Sequence, residues 1–327
     1  ERHQRRTPST TRTVHVLLTT VSLLVGVVLL AFAADQFVIG AARVALVSKV
    51  PALVVGVVII GFGTSCPELL VSVIAAAGDE PQVAVGNIVG SNIANLSLLL
   101  GVGALIIPIA VASTTVRREA PLTVGATVLF VVLVQGGIGR IEGAVLIAAM
   151  AFTLWRVVAG SGGPDPLGPE TEELADPAGH RLRTEVIRTI LGLGGTIAGA
   201  QALLWGALDL ADRAGLGAGF VGATLVAVGT SLPELVTVVQ SARRGETDLV
   251  VGNLLGSNLF NSLAVGGVIG LVGTGPIDDP ALTTTAGLAA IAVAAVAAGA
   301  MVTRRRVDRW EGVVLVIAYA AIVVLLR

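Results

Sequence analysis

The sequence predicts an all-α integral membrane protein of about ten transmembrane helices, arranged as two inverted five-helix repeats. Three observations carry this: a deficit of charge, a series of long apolar runs, and an internal repeat. Of the 327 residues, 54% are hydrophobic and 13% charged, with a mean hydropathy of +0.89. Soluble domains carry about 25% charged residues. The 41 glycines suit helices that pack closely in a bilayer. The apolar runs are continuous rather than alternating, which argues against a transmembrane β-barrel.

The elements follow in order. Apolar runs span Val14–Ala34 (continuing past Asp35 to about Leu46), Pro51–Ala77, Val83–Ala112, Pro121–Val134 and Ile141–Val158. Gly160–Gly179 is rich in Gly, Pro and acid and reads as a solvated linker. Runs resume at Val186–Leu210, Gly217–Ser241, Leu249–Leu271, Ala281–Val302 and Gly312–Leu326. This divides the chain into a polar tail (1–13), a first half (14–159), a linker (160–183) and a second half (184–327). Glu1 is not an initiator methionine, so an upstream segment is expected.

Shifting the chain by 166 residues superimposes its polar motifs without a gap. Gly63, Thr64, Ser65, Pro67 and Glu68 fall on Gly229, Thr230, Ser231, Pro233 and Glu234. Gly86, Asn87, Gly90, Ser91, Asn92 and Asn95 fall on Gly252, Asn253, Gly256, Ser257, Asn258 and Asn261. Gly40 and Ala41 also fall on Gly206 and Ala207. Composition bias aligns Gly, Ala and Val; it does not align Pro, Glu, Ser and Asn in register. Five spans per half is odd, so the second half starts on the opposite side of the membrane and the repeats are inverted. With the N-terminus outside, 14 of the 21 basic residues fall at cytoplasmic positions, as the positive-inside rule favours. The basic tail, with Arg2, Arg5, Arg6 and Arg12, pulls the other way. The expectation is a multi-pass plasma-membrane protein with both termini extracellular.

Most acidic residues fall in predicted loops or near helix ends, and Asp35 and Asp209 are read as end positions. Glu68 and Glu234 differ. Each lies inside an apolar run at the same place in its repeat, where an ionised group costs about 3 kcal/mol. A buried ion pair is the bland alternative, but neither polar segment contains Lys or Arg. From Glu68 to the turn at Asp79, and from Glu80 to Ser91, the helix covers roughly 16 Å each way. Half the hydrocarbon thickness is about 15 Å. Glu68, Ser91 and Asn95 therefore share a depth near the midplane, and the same arithmetic joins Glu234, Ser257 and Asn261. Pro67 and Pro233, with nearby glycines, predict broken helices and free carbonyls around Gly61–Thr64 and its counterpart. Carboxylates, hydroxyls, amide oxygens and carbonyls are hard ligands suited to Na⁺ and Ca²⁺. Cys66, the only cysteine, corresponds to Leu232 and reads as packing. His3, His15 and His180 are too scattered for a metal cluster. Gly86-x-x-x-Gly90 and Gly252-x-x-x-Gly256 read as close helix packing. A hydrolase elbow at Ser65 fails, since Pro67 stands where Gly is needed and no His is near. No enzyme activity, cofactor or nucleic-acid partner is expected at a net charge of -1.

The paired motifs GTSCPEL with GNIVGSNIAN, and GTSLPEL with GNLLGSNLFN, resemble the two alpha repeats of the calcium/cation antiporter superfamily, in its prokaryotic sodium/calcium exchanger type. The resemblance covers nearly the whole membrane chain. It implies an antiporter that moves Ca²⁺ out as Na⁺ moves in, by alternating access, with the first helix of each half sliding. The implied ion positions are Thr64, Ser65, Glu68, Ser91 and Asn95, and Thr230, Ser231, Glu234, Ser257 and Asn261, with backbone carbonyls at Gly61 and Ala227. Many relatives carry Asp where this chain has Asn261, so only two carboxylates remain at the centre. The linker is too short for a calcium-sensing domain. H⁺ is the alternative coupling ion, and a passive cation channel the alternative of another class. The expected partners are Ca²⁺, Na⁺ and the lipid bilayer, with a monomer as the working unit. A single cysteine placed within Gly160–Gly179 is predicted to react with a membrane-impermeant maleimide from the cytoplasmic side; labelling only from outside would show that the basic tail sets the topology.

Overall fold

A computed structural model describes residues 9–47, 63–111, 113–160, 182–273 and 275–327. Its first helix, α1 (Ser9–Val47), is followed by the short helix α2 (Cys66–Ala77). Two long central helices have the same construction. α3 (Pro81–Ile106) contains a π-helical turn at Asn95–Leu99, and α9 (Thr247–Val272) contains one at Asn261–Val265. The two turns sit at equivalent places in the repeat, each opening on the last Asn of its motif. A π turn adds a residue to the helical repeat and re-aims the side chains that follow.

Between these lie α4 (Ser113–Leu133), α5 (Arg140–Gly160) and α6 (Leu182–Ala214). α7 (Ala218–Thr230) and α8 (Leu232–Arg244) form one apolar segment bent by 46° at Ser231. The chain ends with α10, which is π-helical over Ala281–Ala286 and continues as Gly287–Arg304, and α11 (Arg309–Leu325). Six of the described helices are long and apolar enough to cross a membrane, and the bent α7–α8 pair passes together with them. The third apolar run was expected to reach Ala112, but α3 stops at Ile106 because Pro108 cannot continue it. The chain is instead extended at β1 (Ile109–Ala110), which pairs antiparallel with β2 (Arg306–Val307). A matching bridge joins Ile138 and Gly275. The fourth run starts earlier than expected, at Ser113, with Pro121 inside the helix.

Burial orders the layers. The apolar window of α3 is 83% buried and that of α1 only 22% buried, so α3 is central and α1 faces lipid. Small residues bring α3 against α7: a Cβ added to Gly90 would sit 2.2 Å from the Ala223 carbonyl oxygen, and one added to Gly86 would sit 2.6 Å from that of Gly219. The matching partner of Gly252 and Gly256, around Gly56, lies outside the described residues.

The two longest helices, α1 and α6, run antiparallel along a glycine seam. A Cβ at Gly26 would meet Leu203 N at 2.5 Å, one at Gly192 would meet Phe37 N at 2.4 Å, and one at Gly199 would meet Leu30 N at 2.6 Å. Backbone approach this close maximises dispersion contact where lipid offers no hydrophobic drive to association. Polar contacts close both ends. Glu185 pairs with Arg43 at 3.4 Å and Arg188 at 3.6 Å. Asp209 pairs with Arg213 at 2.7 Å and accepts a hydrogen bond from Thr19. The repeat offset turns Gly26–Leu203 into Gly192–Phe37, and Arg43–Glu185 into Asp209–Thr19, so the seam obeys the sequence repeat.

Candidate functional site

Both acidic segments are built alike. Gly63–Ser65 forms a 3₁₀ turn before α2 restarts at Cys66. Ser65 has φ −85° and ψ 9°; Ser231, at the α7–α8 bend, has φ −82° and ψ 10°. Pro67 and Pro233 dictate this geometry, because proline is tolerated in the first turn of a helix and breaks one further in. Glu68 and Glu234 follow in those first turns, where the helix dipole favours negative charge.

Thr64 and Ser65 stand four and three residues before Glu68, a spacing that in a continuous helix puts all three on one face. The structure instead sends the hydroxyls across to the other repeat. Ser231 Oγ donates to Glu68 Oε1 at 3.0 Å, and Ser65 Oγ donates to Glu234 Oε1 at 3.5 Å. Thr230 Oγ1 donates to Asn87 Oδ1 at 3.1 Å, and Thr64 Oγ1 to Asn253 Oδ1 at 3.3 Å. Each pair is the repeat image of the other. Both glutamates are fully buried, as are Ser65, Ser91, Asn95, Thr230, Ser257 and Asn261, while Ser231 is 1% exposed.

One group of atoms is left over. Glu68 Oε2, Glu234 Oε2, Ser91 Oγ, Asn95 Oδ1 and both amide atoms of Asn261 are buried without a hydrogen-bond partner among the described residues. A buried polar atom left unpaired costs about 1–3 kcal/mol, and more when charged. Ser257 lies 3.5 Å from Thr64. The Ala227 carbonyl accepts from Ser231 N at 3.0 Å, and the single hydroxyl proton of Thr230 has two acceptors within 3.1 Å, this carbonyl and Asn87 Oδ1. Gly61 lies outside the described residues.

Sequence reasoning counted Asn87, Asn92, Asn253 and Asn258 in the repeat but gave them no role. Asn87 also donates to Ser72 Oγ at 2.9 Å and to the Glu68 carbonyl at 3.4 Å, so it ties α2 to α3. Asn92 donates to Ser262 Oγ at 2.8 Å, and Asn258 donates to the Asn92 carbonyl at 2.9 Å, joining α3 to α9. Asn95 Nδ2 donates to Asn258 Oδ1 at 2.9 Å, which leaves its oxygen for the centre. The available signal was amides recurring at matched places in apolar helices.

A cleft of about 630 Å³ leads to the site between α1 and α8, lined by Asp35, Val38, Thr64, Pro233, Thr237 and Gln240 among others. Thr64 is partly exposed, whereas its counterpart Thr230 is fully buried. Among the described residues no group of three or more His, Cys, Asp or Glu comes together. An ion at the centre would meet two carboxylates and neutral oxygens.

Residues 18–159 and 185–327 match the family model described as sodium/calcium exchanger protein. The chain belongs to the sodium/calcium exchanger family. Within that family it is 38% identical to the putative antiporter CaxA of Alkalimonas amylolytica, over 93% of this chain and 97% of that one. It is 28% identical to the sodium/calcium exchanger MaX1 of Methanosarcina acetivorans, over 93% and 97% of the two chains. Its fold superimposes on the solved sodium-calcium exchanger NCX_Mj with a TM-score of 0.65 and 28% identity, covering 95% of this chain and all of that one. Exchangers of this family are multi-pass membrane transporters rather than enzymes.

Proposed function

We propose that the chain is a secondary antiporter that exchanges Ca²⁺ for Na⁺ at the Glu68–Glu234 centre by alternating access. One observation carries the reading: two fully buried glutamates each have one oxygen held by a serine of the opposite repeat and the other left unpaired, among further unpaired Ser and Asn oxygens. Thr64, Ser65, Ser91, Asn95, Thr230, Ser231, Ser257 and Asn261 complete the set. At 4 Å and an effective dielectric near 20, each carboxylate attracts a unit charge by about 4 kcal/mol. One Ca²⁺ neutralises both carboxylates, and so do two Na⁺. The two cargoes are therefore alternatives for the same oxygens, which is the condition for exchange.

The wider arrangement is part of the proposal. Ten spans form inverted halves, 14–159 and 184–327, with the linker 160–183 cytoplasmic and the termini outside the plasma membrane. The mirrored backbone at Ser65 and Ser231 and the mirrored α1–α6 seam support it. The site draws all its oxygens from one chain, which supports a monomer as the working unit.

The test is Ca²⁺ uptake into proteoliposomes, driven separately by a Na⁺ gradient and by a pH gradient. A Na⁺ gradient is expected to drive uptake, and Glu68→Gln or Glu234→Gln is expected to cut it roughly a hundredfold or more, since a loss of about 3 kcal/mol is that factor. The protein should remain folded, because Gln is near in shape and removes an unpaired charge. Normal flux in either variant would refute the site, and uptake driven only by the pH gradient would make H⁺ the coupling ion.

Asn261 sets the charge count. Three Na⁺ at two carboxylates leave an excess positive charge in a medium that penalises it. Asn261→Asp is expected to change the Na⁺ dependence and the voltage dependence of Ca²⁺ flux. If flux, Na⁺ dependence and voltage dependence all match the parent across a wide pH range, the third charge is irrelevant.

A further inference from the structure

We infer that Asp35 recruits cations on one side of the membrane only, as the charged residue of a single-sided approach to the site. The inference rests on the exchange reading above. Sequence placed Asp35 near a helix end, but α1 continues to Val47, about 18 Å further on. An ionised carboxylate inside an apolar span costs about 3 kcal/mol unless water or a cation reaches it. Asp35 is exposed and lines the cleft, together with the polar side chains of Thr64, Thr237 and Gln240. Its hydrogen bond comes from Gln36 Nε2 at 3.0 Å, and no basic side chain pairs with it among the described residues.

The position along α1 is also informative. Val38, one turn further on and on the same helix face, packs against Gly63, at the turn that carries Thr64 and Ser65. Asp35 therefore stands about one helical turn from the rim of the site. Low-dielectric walls around a carboxylate focus its field and raise the local cation concentration.

The repeat shows that this device is not duplicated. The offset of 166 maps Asp35 to Gln201, Thr237 to Val71 and Gln240 to Ile74. None of the repeat counterparts of the cleft-lining residues is a carboxylate, and Val71 is fully buried. The helix pair is also displaced from the repeat axis. Gly63 meets Val38, but the nearest side chains to Gly229 are Val27 and Leu203, not Leu204, the counterpart of Val38. The gap thus opens beside α8, toward the end of the bundle that carries Val47 and the α8–α9 turn.

The test uses the full chain in right-side-out and everted membrane vesicles, with Na⁺-dependent Ca²⁺ flux giving a KM at each face. Asp35→Asn is expected to raise the Ca²⁺ KM roughly fivefold at the cleft face, with a smaller effect on the maximal rate and no shift at the opposite face. Asp35→Glu should restore it, and Gln201→Glu should lower the KM at the opposite face. An unchanged KM at both faces, or an equal rise at both, would overturn the inference while leaving the exchange reading standing. Parent vesicles with no Na⁺-dependent Ca²⁺ flux would overturn both.

Discussion

Two carboxylates share one buried centre, each half-satisfied by a serine from the opposite repeat. Isolated buried charge is among the most costly features a bilayer protein can carry, and much of the surrounding architecture follows from it. The prolines force helix restarts that present the glutamates in first turns. The amides of Asn87, Asn92 and Asn258 fasten α2, α3 and α9 around them. The close approach of α3 to α7 at Gly86 and Gly90 leaves no room for a competing side chain. Among the polar atoms that remain unpaired are one oxygen of each glutamate and oxygens of Ser91, Asn95 and Asn261, the groups an ion would need.

The repeat is followed closely in some places and abandoned in others, and both have consequences. Crossed Ser–Glu and Thr–Asn contacts, equal backbone angles and the mirrored glycine seam follow the symmetry. Asp35 against Gln201, Ser262 against Leu96 and the exposure of Thr64 against the burial of Thr230 break it. An inverted repeat can exchange access between sides by adopting the packing of its own image. The α1–α6 pair is locked along its glycine seam and at both ends, so it is built to move as one unit in the exchange proposed above.

Much of this was legible in the chain itself. The breaks at Pro67 and Pro233, and the place of Glu68, Glu234, Ser91, Asn95 and Asn261 inside buried apolar helices, follow from proline chemistry and the repeat. The crossed pairing of hydroxyls was not legible, because i, i+4 spacing within one helix says nothing about the neighbour it meets. The backbone hydrogen bond from Ser231 N to the Ala227 carbonyl was not legible for a related reason: a 46° bend need not release its hydrogen bonds. Asp35 was read as an end position although its apolar run continues to about Leu46, and only the packed structure shows that a cleft meets it. The end of α3 was signalled locally by Pro108, but the strand after it was not, because its partner Arg306–Val307 lies about two hundred residues away.

The central claim is that one set of oxygens serves both cargoes. Equilibrium Ca²⁺ binding to the purified chain, titrated against Na⁺, tests it most directly. A single Ca²⁺ per chain is expected, displaced competitively and completely by Na⁺, with binding lost when Glu68 and Glu234 are both replaced by Gln. Ca²⁺ binding that persists at saturating Na⁺, or that survives the double replacement, would contradict it.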